Sequence, residues 1–182
     1  MDAQRQQILF AGASLLCASL GSIRDVRERR IPNSLTFPAI AAGLIAHTVA
    51  NGWLGLGDSA LAGLIAGGMF LIFFVAGGMG AGDVKLMTTV GCIAGLPSLH
   101  MVVIATAIAG AAFALAVSFH HGRLRETLRN VGALLLHHGR RGLEPHPDLN
   151  LSNAEALRLP FALPIAAGCL FTVCTLVWEA RS

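Results

Sequence analysis

Long apolar runs dominate the chain and polar residues fall between them. Six such runs emerge, at about 8–23, 34–51, 59–77, 84–96, 99–119 and 160–179. Most approach the roughly 20 residues that a helix needs to cross about 30 Å of hydrocarbon. They are apolar on every face and do not alternate with period two, which predicts buried or lipid-facing helices rather than barrel strands. The pattern predicts an all-α integral membrane protein, a polytopic bundle of about six transmembrane helices. Small residues are dense, as in Ala41-Ala42-Gly43, Gly63-x-x-x-Gly67 and Ala105 to Ala112. They allow close helix packing.

Basic residues set the expected orientation. The first connection carries Arg24, Arg27, Arg29 and Arg30, the third Lys85, and the fifth Arg123, Arg125, Arg129, Arg140, Arg141 and Arg158. The second and fourth, around Asn51-Gly52-Trp53 and Pro97-Ser98, carry none. Positive connections stay in the cytoplasm, so both termini are expected outside. The first run is read as a retained helix and not a cleaved signal peptide: only Arg5 precedes it and no clear cleavage site follows. The whole of 1–182 is read as one transmembrane domain. It includes a cytoplasmic loop at 120–158. There Leu124, Leu128, Val131 and Leu135 recur at helical spacing between arginines. That segment either lies on the membrane surface as an amphipathic helix or forms part of a soluble cap. Pro164 is expected to bend the first turns of the last span.

Composition agrees and narrows the chemistry. Of 182 residues, 54% are hydrophobic and 13% charged, with a formal charge of +3. No basic stripe interleaves with aromatics, so a nucleic-acid partner is not expected. Cys17, Cys92, Cys169 and Cys174 sit in apolar runs without a C-x-x-C pair, which argues against a disulfide framework or a zinc site. His120, His121, His137, His138 and His146 share the loop side but lack metal-ligand spacing. No metal and no cofactor is expected.

Two carboxylates stand out. Asp25 ends the first run in SIRDVRERRIPN, and Asp83 begins the fourth in GGMGAGDVK. Counting spans puts both at the cytoplasmic end, although 58 residues separate them. The run from Val84 to Leu96 has 13 residues, about 20 Å of helix. Either the membrane thins there or Asp83 starts below its surface in a wet cleft. Gly77, Gly78, Gly80 and Gly82 are expected to remove bulk, open unusual backbone angles and let a substrate backbone approach Asp83. Asp83, at a helix start, gains from unpaired N–H groups. Two carboxylates brought together share a proton. One then acts as base toward a water and the other as acid toward the carbonyl or leaving amine. Asp58 falls on the outer side; Glu144, Asp148 and Glu155 fall in the loop; Glu28 sits among arginines.

Asp25 to Asn33 (DVRERRIPN) together with Gly78 to Met87 (GMGAGDVKLM) resemble the prepilin peptidases, the GxGD class of intramembrane aspartic proteases. The likeness is greatest to the short bacterial CpaA/TadV type that serves Flp, or tight-adherence, pili. Leu159 to Gly168 also resembles that family's last helix. The resemblance implies catalysis by Asp25 and Asp83, with Gly80 and Gly82 as the motif glycines. Pro32 and Asn33 match the I-P-N element, and Asn33 is expected to cap the second helix. Lys85 matches a motif lysine, either tuning Asp83, meeting a substrate carboxylate or snorkelling to the membrane edge. The implied activity is leader cleavage of type IV or Flp prepilins or pseudopilins at the cytoplasmic face of the inner membrane. The implied partners are substrates with an apolar N-terminal helix, the lipid bilayer and the pilus assembly machinery. Larger relatives carry C-x-x-C pairs and also methylate the new N-terminus; this chain has no such pairs, so cleavage without methylation is expected. The rival readings are a small proton-coupled transporter, which wants carboxylates near the bilayer middle and an internal repeat, and a non-catalytic assembly protein.

Overall fold

The computed structural model describes residues 3–142, 144 and 160–181. Five helices follow in order: α1 Ala3–Glu28, α2 Asn33–Val75, α3 Ala81–His120, α4 Leu124–Arg141 and α5 Ala162–Glu179. Four of them, α1, α2, α3 and α5, are long and apolar enough to cross a membrane. The chain is thus an all-helical protein of membrane type.

The second and third apolar runs join in α2, and the fourth and fifth join in α3. Each long helix is broken inside. In α2 the backbone leaves helical angles at Asn51 and Gly52, the latter at φ 63°. In α3 it does so at Gly95, at φ 72°. Both limbs of α2 reach the same stretch of α3. A side chain at Gly43 would meet the Cys92 carbonyl, and the Ser59 hydroxyl donates to that carbonyl at 2.6 Å. A side chain at Gly55 would collide with the His47 carbonyl. The two limbs therefore fold back side by side. The second limb of α3 returns along α5, with Thr106 against Gly168 and Gly110 against the Phe161 ring.

Both breaks lie at one end of the bundle and share a polar anchor. His47 is buried, stacks on Phe10 at 3.9 Å between centroids, and bonds the Ile93 carbonyl at 3.0 Å. The Leu96 amide, freed by the break at Gly95, donates to the Asp58 carboxylate at 3.3 Å. A buried backbone polar group needs such a partner. Asp58 sits at this end, away from Asp25 and Asp83, as the span count expects.

Packing is inverted relative to a water-soluble bundle. The core holds many small residues, among them Ala18, Ala62, Ala66, Ala94 and Ala162, beside larger ones such as Phe70, Leu86, Met87 and Ile165. Leu16, Leu64, Ile108 and Phe171 point outward and are exposed. Small residues inside and large apolar ones outside suit a hydrocarbon solvent, in which helices gain by close contact. Gly63 and Gly67 serve that contact, facing Cys92 and Thr88. Gly91 faces Ala62 and Ala66.

Some local expectations change. Helix α5 starts at Ala162, so Pro164 falls in its first turn. The missing N–H there breaks no intrahelical bond, and no bend is needed. Helix α4 occupies the segment with helical spacing, and its Leu128, Val131 and Leu136 are exposed. The Pro145–Pro147 stretch, His146, Asp148, Glu155 and Arg158 lie outside the described residues.

The glycine contacts rank substitutions. A Cβ at Gly91 would lie 2.7 Å from the Ala62 carbonyl oxygen and 2.8 Å from the Ala66 Cβ, whereas one at Gly57 meets nothing within 4 Å. Gly91→Ala is expected to lower unfolding stability in detergent by about 1–3 kcal/mol, and Gly57→Ala to leave it unchanged or slightly raised.

Candidate functional site

The end opposite the breaks gathers four helix termini: the end of α1 and the starts of α2, α3 and α5. A cleft of about 540 Å³ opens there. Its lining includes Asp25 and Glu28 from α1, Pro32 and Asn33 before α2, and Gly80, Gly82, Asp83 and Lys85 at the start of α3. Of the site residues expected from the sequence, Asp25, Pro32, Asn33, Gly80, Gly82, Asp83 and Lys85 line it, whereas Gly77 and Gly78 stand just before it.

The loop before α3 explains the glycines one by one. Gly77 takes φ 78°; its amide donates to the Phe74 carbonyl and that of Gly78 to the Phe73 carbonyl, each at 3.0 Å. This pair of bonds closes α2 as a Schellman cap, which needs the left-handed conformation at Gly77. Met79 then packs on the core and anchors the loop. Gly80 is the N-cap of α3 with extended backbone, φ −84° and ψ 148°. That conformation is open to any residue, so the expectation of unusual angles holds at Gly77 and not at Gly80. What Gly80 and Gly82 supply is space: a Cβ at Gly80 would meet only the Asp83 carboxylate, and one at Gly82 only Ile31 at 3.4 Å. Two bare backbone positions beside a carboxylate leave room for an extended chain.

Asp83 is the third residue of α3, and only 9% of it is exposed. Its carboxylate reaches back to the Gly80 amide, half of a capping box. The gain from unpaired N–H groups at a helix start thus takes this specific form. Asp25 is half-buried, and its carboxylate faces the Ala162 amide at the start of α5. Asp25 and Asp83 are close enough to feel one another's charge.

Around the carboxylates the walls are cationic and partly paired. Lys85 Nζ donates to Asn33 Oδ1 at 2.9 Å, linking the starts of α2 and α3. The N-cap of α2 is Pro32, and Asn33 makes no cap. Its side chain is taken up by Lys85, whose cation outcompetes a backbone amide for the same oxygen. Pro32 precedes the first turn in extended conformation, φ −73° and ψ 143°, as proline permits. Glu28 is not set apart by its arginines: it lines the cleft and pairs with Arg24 at 3.4 Å.

Residues that sequence reasoning missed complete the site. Ile31 is buried between the cleft and the core, so the apolar member of I-P-N is an anchor. Arg29 takes φ 50°, and its amide donates to the Asp25 carbonyl at 2.8 Å. Holding a non-glycine residue there costs about 1–2 kcal/mol, and it ends α1 immediately beyond Asp25. Ala162 contributes only a backbone amide, which has no side-chain signature. Among the described residues no group of three or more His, Cys, Asp or Glu side chains could hold a metal ion.

A model of the type IV leader peptidase family matches residues 10–115, which include both carboxylates, I-P-N and the glycine loop. The chain is 34% identical over 129 residues to proteins named prepilin leader peptidase/N-methyltransferase from Burkholderia pseudomallei strains 1026b and K96243. The match covers 63% of this chain and 41% of each relative, so the chain spans less than half of their length. No solved structure matches the chain.

The Lys85–Asn33 bond can be measured directly. A double-mutant cycle of Lys85→Met and Asn33→Ala, read as unfolding free energy in detergent, is expected to give a coupling on the order of 0.5–1 kcal/mol. A coupling of zero would mean that the two side chains act independently.

Proposed function

The chain belongs to the type IV leader peptidase family, and from that premise we propose that it is an intramembrane aspartic endopeptidase. Its substrates are prepilins or pseudopilins of the type IV or Flp class, cut at the cytoplasmic membrane face. The observation that carries this reading is the shared cleft. Asp25 and Asp83 come from helices far apart in sequence, yet both line it beside two side-chain-free backbone positions.

The mechanism follows from the pair. Held together, the two carboxylates retain one proton between them. The ionised one takes a proton from a water as that water's oxygen bonds to the scissile carbonyl carbon. The protonated one gives its proton to the carbonyl oxygen. As the tetrahedral intermediate collapses, the now ionised carboxylate takes back a proton from a hydroxyl, the protonated one gives its proton to the nitrogen, the C–N bond breaks and the amine leaves with the dyad again holding one proton. Gly80 and Gly82 accept the extended substrate backbone, and Lys85 steadies the wall opposite. The substrate's apolar helix stays in lipid while the leader occupies the cleft.

The membrane placement belongs to the same proposal. The breaks in α2 and α3 make two crossings of each, which with α1 and α5 gives six, with both termini outside the bacterial inner membrane and the cleft toward the cytoplasm. The arginines that follow Asp25 favour that side. Exposed Trp53 and Trp178 suit the opposite interface. Helix α4 lies on the cytoplasmic surface, laid against the headgroups. We propose cleavage without methylation, because the chain carries no C-x-x-C pair.

Co-expression with a tagged prepilin from the same genome tests the reading. Wild type is expected to shift the substrate on a gel, and Asp25→Asn and Asp83→Asn are each expected to abolish the shift while remaining folded in the membrane. Appreciable turnover by either variant would remove the dyad. Turnover by purified protein is expected to survive a chelator, and its pH profile to be bell-shaped, since the pair must hold one proton and only one.

A further inference from the structure

Helix α5 lies outside the region that the family model matches, yet its first turn meets α1 at the cleft. Ser22 stands one turn before Asp25, on the same face of α1. It is buried, and its hydroxyl lies 2.8 Å from the Ala18 carbonyl and 2.7 Å from the Ala162 carbonyl. The first contact is the ordinary local bond of a serine inside a helix. The second crosses to another helix 140 residues away in sequence.

Ala162 is therefore held twice by α1. Its carbonyl accepts from Ser22, and its amide faces the Asp25 carboxylate. That amide belongs to the first turn of α5 and has no acceptor within its own helix. Elsewhere the start of α5 is fixed to other helices: the Phe161 ring abuts Gly110 and meets Phe70 edge-on at 6.0 Å, and Pro164 lies near Gly110. Those contacts set where α5 stands against α2 and α3. The Ser22 bond sets its first peptide against α1, at the level of Asp25.

We propose that Ser22 and the Ala162 peptide form a positioning unit for Asp25, in which the Ser22 hydroxyl holds the first turn of α5 so that the Ala162 amide grips one oxygen of the carboxylate. The unit rests on the reading of Asp25 as catalytic. With one oxygen held, the carboxylate, which lines the cleft, cannot rotate freely. Ser22 touches neither substrate nor reacting atoms; it acts through Ala162. Losing its hydroxyl lets the first peptide of α5 drift, while Gly80, Gly82 and the rest of the substrate-facing wall stay in place. The loss then falls on turnover and not on substrate binding.

The test uses the full chain in liposomes with a prepilin that wild type cleaves. Ser22→Ala is expected to lower kcat about tenfold with KM within about twofold, and Ser22→Thr, which keeps the hydroxyl, to regain most of the loss. A wild-type kcat in Ser22→Ala would overturn the proposal. So would a loss that Ser22→Thr does not regain, since that would be packing alone. Hydrogen–deuterium exchange over 160–165 gives a readout free of activity. Exchange at the Ala162 amide is expected to quicken in Ser22→Ala and in Asp25→Ala, which removes the acceptor, and unchanged protection in both would again overturn it. A folded wild type that cleaves no prepilin but shows this exchange pattern would sink the peptidase reading and leave the positioning unit standing.

Discussion

In hydrocarbon every backbone N–H and C=O must find its partner inside the protein, and the shape of this molecule depends on that constraint. The chain can leave helical geometry only where something takes up the freed groups. It does so at few places. At Gly95 the Leu96 amide is met by Asp58, and beyond Ala76 the amides of Gly77 and Gly78 turn back onto Phe74 and Phe73. Because the breaks in α2 and α3 lie at one end, the starts of α2, α3 and α5 and the end of α1 collect at the other. Helix starts carry unpaired N–H groups, and that is where the carboxylates sit.

The same logic makes the site affordable. An ionisable group near lipid is expensive unless it is hydrogen-bonded or faces a wet cavity. Asp83 faces the Gly80 amide and Asp25 the Ala162 amide, each donor being surplus to its own helix. The cleft supplies the water-accessible side. Structural need and proposed chemistry therefore use the same groups. Two carboxylates placed at helix starts require little side-chain bulk around them.

Close packing links the two ends. Gly43, Gly63, Gly67 and Gly91 bring α2 against the first limb of α3 with almost nothing between the backbones. That limb carries Asp83 at its start and the break at Gly95 at its finish. Its position is thus fixed along its length by contacts that tolerate no added methyl group at Gly91. The large apolar side chains, which would build the core of a soluble protein, are left for the outside.

Much of this was legible along the chain. The apolar runs announced the helices, because a span must be apolar over its whole length to exist in lipid. Asp25, Asp83 and the glycine loop were conspicuous because charge and glycine are rare in such company. Tertiary structure alone decided the rest. Asn33 reads as a helix cap in sequence, but Lys85 arrives from another helix and takes its oxygen. Gly77, Gly78, Gly80 and Gly82 read alike in sequence, as sources of both space and unusual backbone angles, but Gly77 makes the turn and Gly80 leaves space. Ser22 and Ala162 read as ordinary small residues of apolar segments. Their meaning arises only when the chain folds back across 140 positions and sets one backbone amide beside one carboxylate. A side chain advertises its chemistry in sequence, whereas a backbone amide is the same at nearly every position and gains a role only from what the fold places next to it.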